Sequence, residues 1–200
     1  MKGLFVTGTD TGVGKTFVSC ALIRAARAAG HRVFAFKPIE TGCPAGDWGE
    51  DQRALAEAAG DVVRGTYRLA LPAAPWVSSQ AEGVEIDLGR VVEELEEANA
   101  DRVLVEAAGG WRVPLTRSAD TGDLANLCEL PVLVVARAGL GTINHTLLTL
   151  EAISRDGLGI AGVVLSVRPE DDQEFALSNA LQIRERSGAA VWCLPDLPLL

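Results

Sequence analysis

Gly8-Thr9-Asp10-Thr11-Gly12-Val13-Gly14-Lys15-Thr16 lies between a short apolar run at residues 4–6 and a segment with helical periodicity. This order of strand, glycine-rich turn and helix start reads as a phosphate-binding loop. Backbone N–H groups converge on phosphate oxygens, and the helix N-terminus adds its partial positive charge. Lys15 is placed to reach the β- and γ-phosphates, and Thr16 to offer its hydroxyl to Mg²⁺. Asp10, Thr11, Gly12, Val13 and Gly14 complete the nucleotide-binding stretch. Five residues, Thr9 to Val13, separate Gly8 from Gly14 where the usual pattern has four. A plain strand-to-helix turn explains the glycines but not Lys15 and Thr16 together.

Outward from the loop, apolar runs alternate with helical patterns. Helices are expected at 16–29, 53–59, 86–98, 124–128, 142–155 and 171–186, several closed by glycines 30, 60, 157 and 188. Strands are expected at 32–37, 102–106, 131–136, 160–167 and 189–193. The first helix is expected to present Val18, Ala21, Leu22 and Ala25 on one face. In the helix at 86–98, Leu88, Val91, Val92 and Leu95 face inward, with Glu93, Glu94, Glu96 and Glu97 as a solvated face. Residues 107–111 read as a sharp turn on Gly109-Gly110, and 61–83 as a long excursion without periodicity. The alternation implies an α/β fold like that of P-loop NTPases, a largely parallel sheet flanked by helices on both faces. Residues 1–200 are expected to form one domain.

Composition narrows the function. With 48% hydrophobic and 22% charged residues the chain can build a sizeable core, and its formal charge of −9 argues against nucleic-acid binding. Cys20, Cys43, Cys128 and Cys193 are scattered with no Cys-x-x-Cys pair, and read as mostly buried thiols. The N-terminus enters a strand without a cleavable apolar leader, and no run reaches the length of a membrane span, so a cytoplasmic protein without a membrane partner is expected. Little chain follows Leu194-Pro195, so little is expected to close over a base.

In open α/β sheets ligands bind beyond the carboxyl ends of the strands. That rule selects Asp10, Thr11, Lys15 and Thr16 after the first strand, Lys37 and Thr41 after the second, and Glu106 with Gly109-Gly110 after the third. Thr16, Asp51 and Glu106 form a hard-oxygen set suited to Mg²⁺ on a triphosphate. Lys15 and Lys37 can balance charge on a transferring phosphoryl group. An Asp near a helix start is also an ordinary cap, and spacing leaves both readings of Asp51 open. His31 and His145 read as a turn residue and a packing or surface residue.

With these residues assembled, the chain resembles the dethiobiotin synthetase family. The resemblance is carried by the loop with its extra residue, by Phe36-Lys37-Pro38-Ile39-Glu40-Thr41-Gly42, by Val105-Glu106-Ala107-Ala108-Gly109-Gly110-Trp111 with Val113-Pro114-Leu115, and by Gly139-Leu140-Gly141-Thr142-Ile143-Asn144-His145. It implies an ATP-dependent homodimer that carboxylates 7,8-diaminononanoate with carbon dioxide and closes a ureido ring. It also implies Lys15, Lys37 and Thr11 as catalytic residues, and Thr16, Asp51 and Glu106 as holders of Mg²⁺. Substrate would be bound by Thr41, Gly109, Trp111, Pro114, Gly141, Thr142, Ile143 and Asn144. Spacing alone equally allows Gly141 as a turn and Asn144 as a cap; the resemblance favours the binding role.

The chain departs from the family pattern at Gly12, where some members have Glu, at Thr41 in place of Ser, and at Ala107 in place of Gly. Ser166 stands where an Asn often reads the purine edge, which points to other nucleoside triphosphates besides ATP. Two other readings share the loop. A partitioning ATPase usually carries a second lysine early in it, whereas Thr9-Asp10-Thr11 has none. A related amide-forming synthetase would normally need a further glutamine-hydrolysing domain.

Overall fold

A computed structural model describes residues 2–195. Its first half runs β1 (Gly3–Gly8), α1 (Lys15–Ala28), β2 (Val33–Phe36), β3 (Ile39–Thr41), α2 (Glu50–Ala59), β4 (Tyr67–Leu69), α3 (Pro75–Glu82) and α4 (Leu88–Glu96). Then follow β5 (Arg102–Gly110), α5 (Thr121–Cys128), β6 (Val132–Arg137), α6 (Thr142–Arg155), β7 (Ile160–Ser166), α7 (Gln173–Ser187) and β8 (Val191–Leu194). The residues beyond Pro195, where little chain is expected to close over a base, lie outside the described residues.

Six strands form one sheet in the order β2-β5-β1-β6-β7-β8, every pair parallel. The continuous apolar runs follow from double burial, because successive side chains point to opposite, covered faces. Phe5, Val103, Val105, Val132 and Val134 enter one core with α4, α5, α6 and α7. Val6, Leu104, Leu133 and Val135 enter the other, against α1 and α2. The order reverses direction between β1 and its neighbours β5 and β6, and there a crevice opens at the carboxyl ends.

Several expectations are corrected. β5 does not end in a turn at Gly109-Gly110 but shifts register after Val6↔Glu106, four of its residues passing two of β1, and pairs with β1 again at Gly8↔Gly110. The glycine pair, which reads as punctuation in sequence, instead lets two backbones run close together. Residues 61–83 are not featureless: β4 pairs in parallel with β3 as a second, two-stranded sheet, and α3 begins with Pro75 in its first turn. A three-residue strand is too short to show alternation. On α1 the buried face is Val18, Ser19, Cys20 and Ile23, while Ala25 is exposed. On α4 Glu94 is half-buried, accepting a 2.8 Å hydrogen bond from Thr66. All four cysteines are free and buried, as expected. Among the described residues no helix is long and apolar enough to cross a membrane.

Candidate active site

The loop between β1 and α1 presents a set of free donors. Thr9 N–H is used by Val135 and Thr11 N–H by the Asp10 carboxylate, but among the described residues Gly12, Val13 and Gly14 donate to no protein acceptor. Gly14 is in the left-handed region, with φ 94°, and a Cβ there would lie 2.4 Å from Ser166 Oγ. Only glycine therefore lets the loop lie against the end of β7.

Below the loop two lysines are buried. Lys15, at the start of α1, reaches Asp10 C=O at 3.3 Å. Lys37, immediately after β2, donates to Asp51 Oδ2 at 2.5 Å and to Glu106 Oε1 at 2.7 Å. Thr16 Oγ1 donates to the same Glu106 oxygen at 2.8 Å. The ends of β1 and β2, Glu106 within β5 and the first turn of α2 thus converge in the crevice.

Electrostatics divides the two cations. Burial, reinforced by the nearby Lys37 charge, brings the Lys15 ammonium down to about 8. Burial opposes the charge of Lys37 as well, but Glu106 and Asp51 outweigh it and hold its pKa above the ordinary lysine value. Burial pushes the Asp51 carboxyl up, yet Lys37 more than offsets this and leaves it below the usual range.

The signs matter. Because Lys15 is depressed, its charged form costs stability below about pH 8, and that cost is relieved as pH rises towards the unfolded value. A bound triphosphate supplies the missing countercharge and raises this pKa again. Nucleotide binding is therefore expected to take up close to one proton at pH 8.5 to 9, and little at pH 7. Calorimetry in buffers of differing ionisation enthalpy measures it; a buffer-independent heat at pH 8.5 to 9 would contradict the depressed Lys15.

Thr16, Asp51 and Glu106 fit a divalent cation. Glu106 is fully buried, and its Oε2 has no hydrogen-bond partner. A buried carboxylate oxygen left unpaired is costly unless a cation or proton serves it. Among the described residues no cluster of three His, Cys, Asp or Glu could hold a metal alone. Two carboxylates and a hydroxyl suit Mg²⁺, which completes its shell with phosphate oxygens and water.

A cavity of about 660 Å³ opens over these groups, lined by Thr11, Gly12, Lys15, Thr16, Lys37, Thr41, Asp51 and Gly109. A second cleft of about 370 Å³ adjoins the loop between Asp10, Val13, Arg137, Ser166 and Arg168. Trp111, Pro114 and residues 141–144 do not line the first cavity. Trp111 is buried, its indole N–H donating to Asp156 at 2.7 Å, and borders a third cleft with Thr11 and Leu148. Gly141 caps α6; Thr142 is buried and its N–H is already given to Gly139 C=O. Its hydroxyl is buried without a hydrogen-bond partner among the described residues, and Ile143 and Asn144 keep the free first-turn N–H groups.

Residues that sequence reasoning missed hold the site in place. The buried Glu40 carboxylate accepts from the N–H groups of Asp51 at 3.0 Å and Gln52 at 2.8 Å, capping α2 from another element and fixing Asp51. Gly49 is glycine because a Cβ there would lie 2.0 Å from that carboxylate. Gln52 Nε2 donates to Lys37 C=O at 3.1 Å. Arg137 pairs with Asp10 at 2.8 Å, and Arg168 donates to Gly12 C=O at 2.9 Å. An acid two residues before a glycine is the faint signal for Glu40; the arginines leave none.

A phosphate loop at a topological switch point, over buried lysines and hard-oxygen ligands, defines a P-loop nucleotide-binding protein. Solved structures share the fold. The signal recognition particle 54 kDa protein from Aeropyrum pernix K1, in complex with GDP, has a TM-score of 0.60 at 21% identity over 95% of this chain and 40% of that one. The MinC:MinD cell division protein complex of Aquifex aeolicus gives 0.62 at 15% identity over 99% and 83%. The AAA domain family matches residues 2–200.

Curated relatives narrow the class. ATP-dependent dethiobiotin synthetase BioD of Anaeromyxobacter dehalogenans (strain 2CP-C) is 53% identical over 90% of this chain and 83% of its own. The protein of the same name from strain 2CP-1 / ATCC BAA-258 is 50% identical over 98% and 92%. That of Aromatoleum aromaticum is 45% identical over 80% and 76%. The chain belongs to the dethiobiotin synthetase family and is an enzyme of ligase type. The partitioning-ATPase alternative is not favoured, since the likeness to the MinD complex is one of fold alone.

Proposed function

We propose that residues 1–200 act as one nucleotide-binding domain that carboxylates 7,8-diaminononanoate with carbon dioxide and closes it to dethiobiotin, converting ATP to ADP and phosphate. The observation that carries the reading is the pair of buried lysines, one free for phosphate and one tied to two carboxylates, in a member of this family. One amine of the substrate adds carbon dioxide and loses a proton, forming a carbamate. A carbamate oxygen attacks the γ-phosphorus and ADP departs. The neighbouring amine then attacks the carbamoyl carbon, phosphate leaves, and the ring closes.

Such a nucleophile is weak, so positioning and charge balance matter more than a strong base. Lys15 binds the β- and γ-phosphates. Lys37 and the hydroxyls of Thr11 and Thr41 hold the carbamate and the transferring phosphoryl group. Gly109 leaves room beside Thr11. Thr16, Asp51 and Glu106 would hold Mg²⁺, which would supply positive charge against the phosphates. Incubation with the diamine, bicarbonate, Mg²⁺ and ATP is expected to yield dethiobiotin by mass; ADP formation without that product would overturn the reading.

The base is read weakly in this proposal. Ser166 offers one rotatable hydroxyl where an Asn would present donor and acceptor together, and its side chain packs against Gly14. Efficiencies with ATP, GTP and CTP are expected to lie within about a hundredfold, roughly 2.7 kcal/mol. A wider spread measured in parallel steady-state assays would contradict this.

A homodimer completes the proposal. The substrate carboxylate lies far from its amines, and the free N–H groups at Ile143 and Asn144 suit an anion from a partner subunit's pocket. Trp111 and Pro114 then wall that shared region, with Gly141 leaving its entrance open. A bulky side chain at Gly141 is expected to raise the KM for the diamine at least tenfold, and a fully active monomer by light scattering would exclude sharing.

A further inference from the structure

The end of β7 touches the phosphate loop twice, from the side of the second cleft. Ser166 packs against Gly14, and two residues on, Arg168 donates its Nη2 to the Gly12 carbonyl at 2.9 Å across the sheet. The arginine is itself anchored, its backbone N–H donating to Asp171 Oδ2 at 2.8 Å. Arg137 in the same cleft pairs with Asp10, whereas among the described residues no carboxylate pairs with the Arg168 guanidinium.

The carbonyl of Gly12 and the N–H of Val13 belong to one trans peptide and point in opposite directions. Gly12 has φ 71° and, without a side chain, little of its own to fix that peptide plane. A donor fixed on the carbonyl therefore fixes the direction of the following N–H, one of the free donors of the loop. We propose that Arg168 is a positioning residue for nucleotide binding: it holds the Gly12–Val13 peptide in the orientation that aims the Val13 N–H at a phosphate, while itself touching no reacting atom. The proposal rests on the reading of this loop as the nucleotide cradle.

The pre-set peptide spares the loop the ordering that binding would otherwise demand. The contribution is confined to nucleotide affinity, since Arg168 is exposed and does not itself line the diamine cavity. It is also shared by every nucleotide whose phosphate meets the Val13 N–H, whatever the total charge.

The test compares wild type, R168A and R168K by calorimetric binding of MgADP and of a non-hydrolysable MgATP analogue, with steady-state kinetics and amide hydrogen exchange. R168A is expected to bind both nucleotides about tenfold more weakly and by equal factors. Its KM for ATP rises to match, while kcat, the diamine KM and the nucleotide-free melting temperature stay near wild type. Exchange at Val13 and Gly14 quickens, and R168K, which keeps a donor of similar reach, recovers affinity to within about threefold. Unchanged affinity in R168A overturns the proposal. So does a loss several-fold larger for the triphosphate analogue with loop exchange unchanged, because Arg168 would then contact phosphate directly. Wild-type protein that binds neither nucleotide would instead remove the cradle reading, and this inference with it.

Discussion

Lys37→Ala is expected to lower kcat by a hundredfold or more and also to lower the melting temperature of the nucleotide-free protein. The catalytic part follows from position. Lys37 is the cation between two strand ends that face the cavity, and losing one preorganised charge costs about 3 kcal/mol of transition-state stabilisation. The stability part follows from what it leaves behind. Asp51 and Glu106 are both hydrogen-bonded to Lys37, and Glu106 is fully buried. Removing one partner of a buried ion pair is strongly destabilising because the other charge is left uncompensated. Since Lys37 has a raised pKa, its contribution is fully present below the unfolded lysine value of about 10.4 and is lost only as pH rises through the higher folded value.

The two effects separate experimentally. Mg²⁺ with ADP is expected to recover part of the lost melting temperature of Lys37→Ala, because in the proposed site a divalent cation would serve the same carboxylates. It should recover none of the lost turnover, because a metal on Asp51 and Glu106 does not replace an ammonium on the carbamate. Thermal melts with and without the ligands, set beside kcat in a folded sample, decide it. Wild-type turnover in folded Lys37→Ala would remove Lys37 from the chemistry.

The parts of this site legible in the sequence are those whose chemistry and position in the chain coincide. Lys15 and Thr16 are fixed by loop spacing, Lys37 follows the apolar β2, and Glu106 follows the apolar run Val103–Val105 inside β5, so the strand-end rule brings them together without any knowledge of side-chain contacts. Asp51 was ambiguous between cap and ligand because its role depends on which group caps α2. Glu40 supplies that cap, from β3, and is placed by a short strand pairing that has no sequence period. Arg137 and Arg168 were invisible for another reason. Arg137 ends β6 and Arg168 follows β7, both far from the loop in sequence, and an exposed arginine at a strand end resembles any solvated charge until the sheet order sets it beside residue 10 or 12. The turn read at Gly109-Gly110 failed because glycine marks both a chain reversal and a close approach of backbones, and only the partner, Gly8, distinguishes them.

Glu106→Gln is expected to reduce turnover by two to three orders of magnitude and to weaken the dependence of activity on Mg²⁺. The amide keeps the shape, and its oxygen can still accept from Thr16 and Lys37 in place of Oε1. Its nitrogen then occupies the place of Oε2, the oxygen that has no protein partner. A hard cation prefers an anionic oxygen there, and an N–H donor cannot serve it. Asp51→Asn should show the same defect or a smaller one, because Asp51 is half-exposed and water can substitute for part of its role.

A second consequence reaches Lys15. Glu106 is among the charges that support the Lys15 ammonium against burial and the repulsion of Lys37. With that charge removed, the Lys15 pKa falls further below about 8, and proton uptake on nucleotide binding moves to lower pH than in wild type. Mg²⁺ titrations of activity, with calorimetry across pH 7 to 9, therefore report on the metal and on the lysine from one substitution. Full Mg²⁺ dependence and unaltered turnover in Glu106→Gln would free this carboxylate from the metal site. Proton uptake at the wild-type pH would show that Glu106 does not support the Lys15 charge. Both together would leave the unpartnered Oε2 without the cation that its burial calls for.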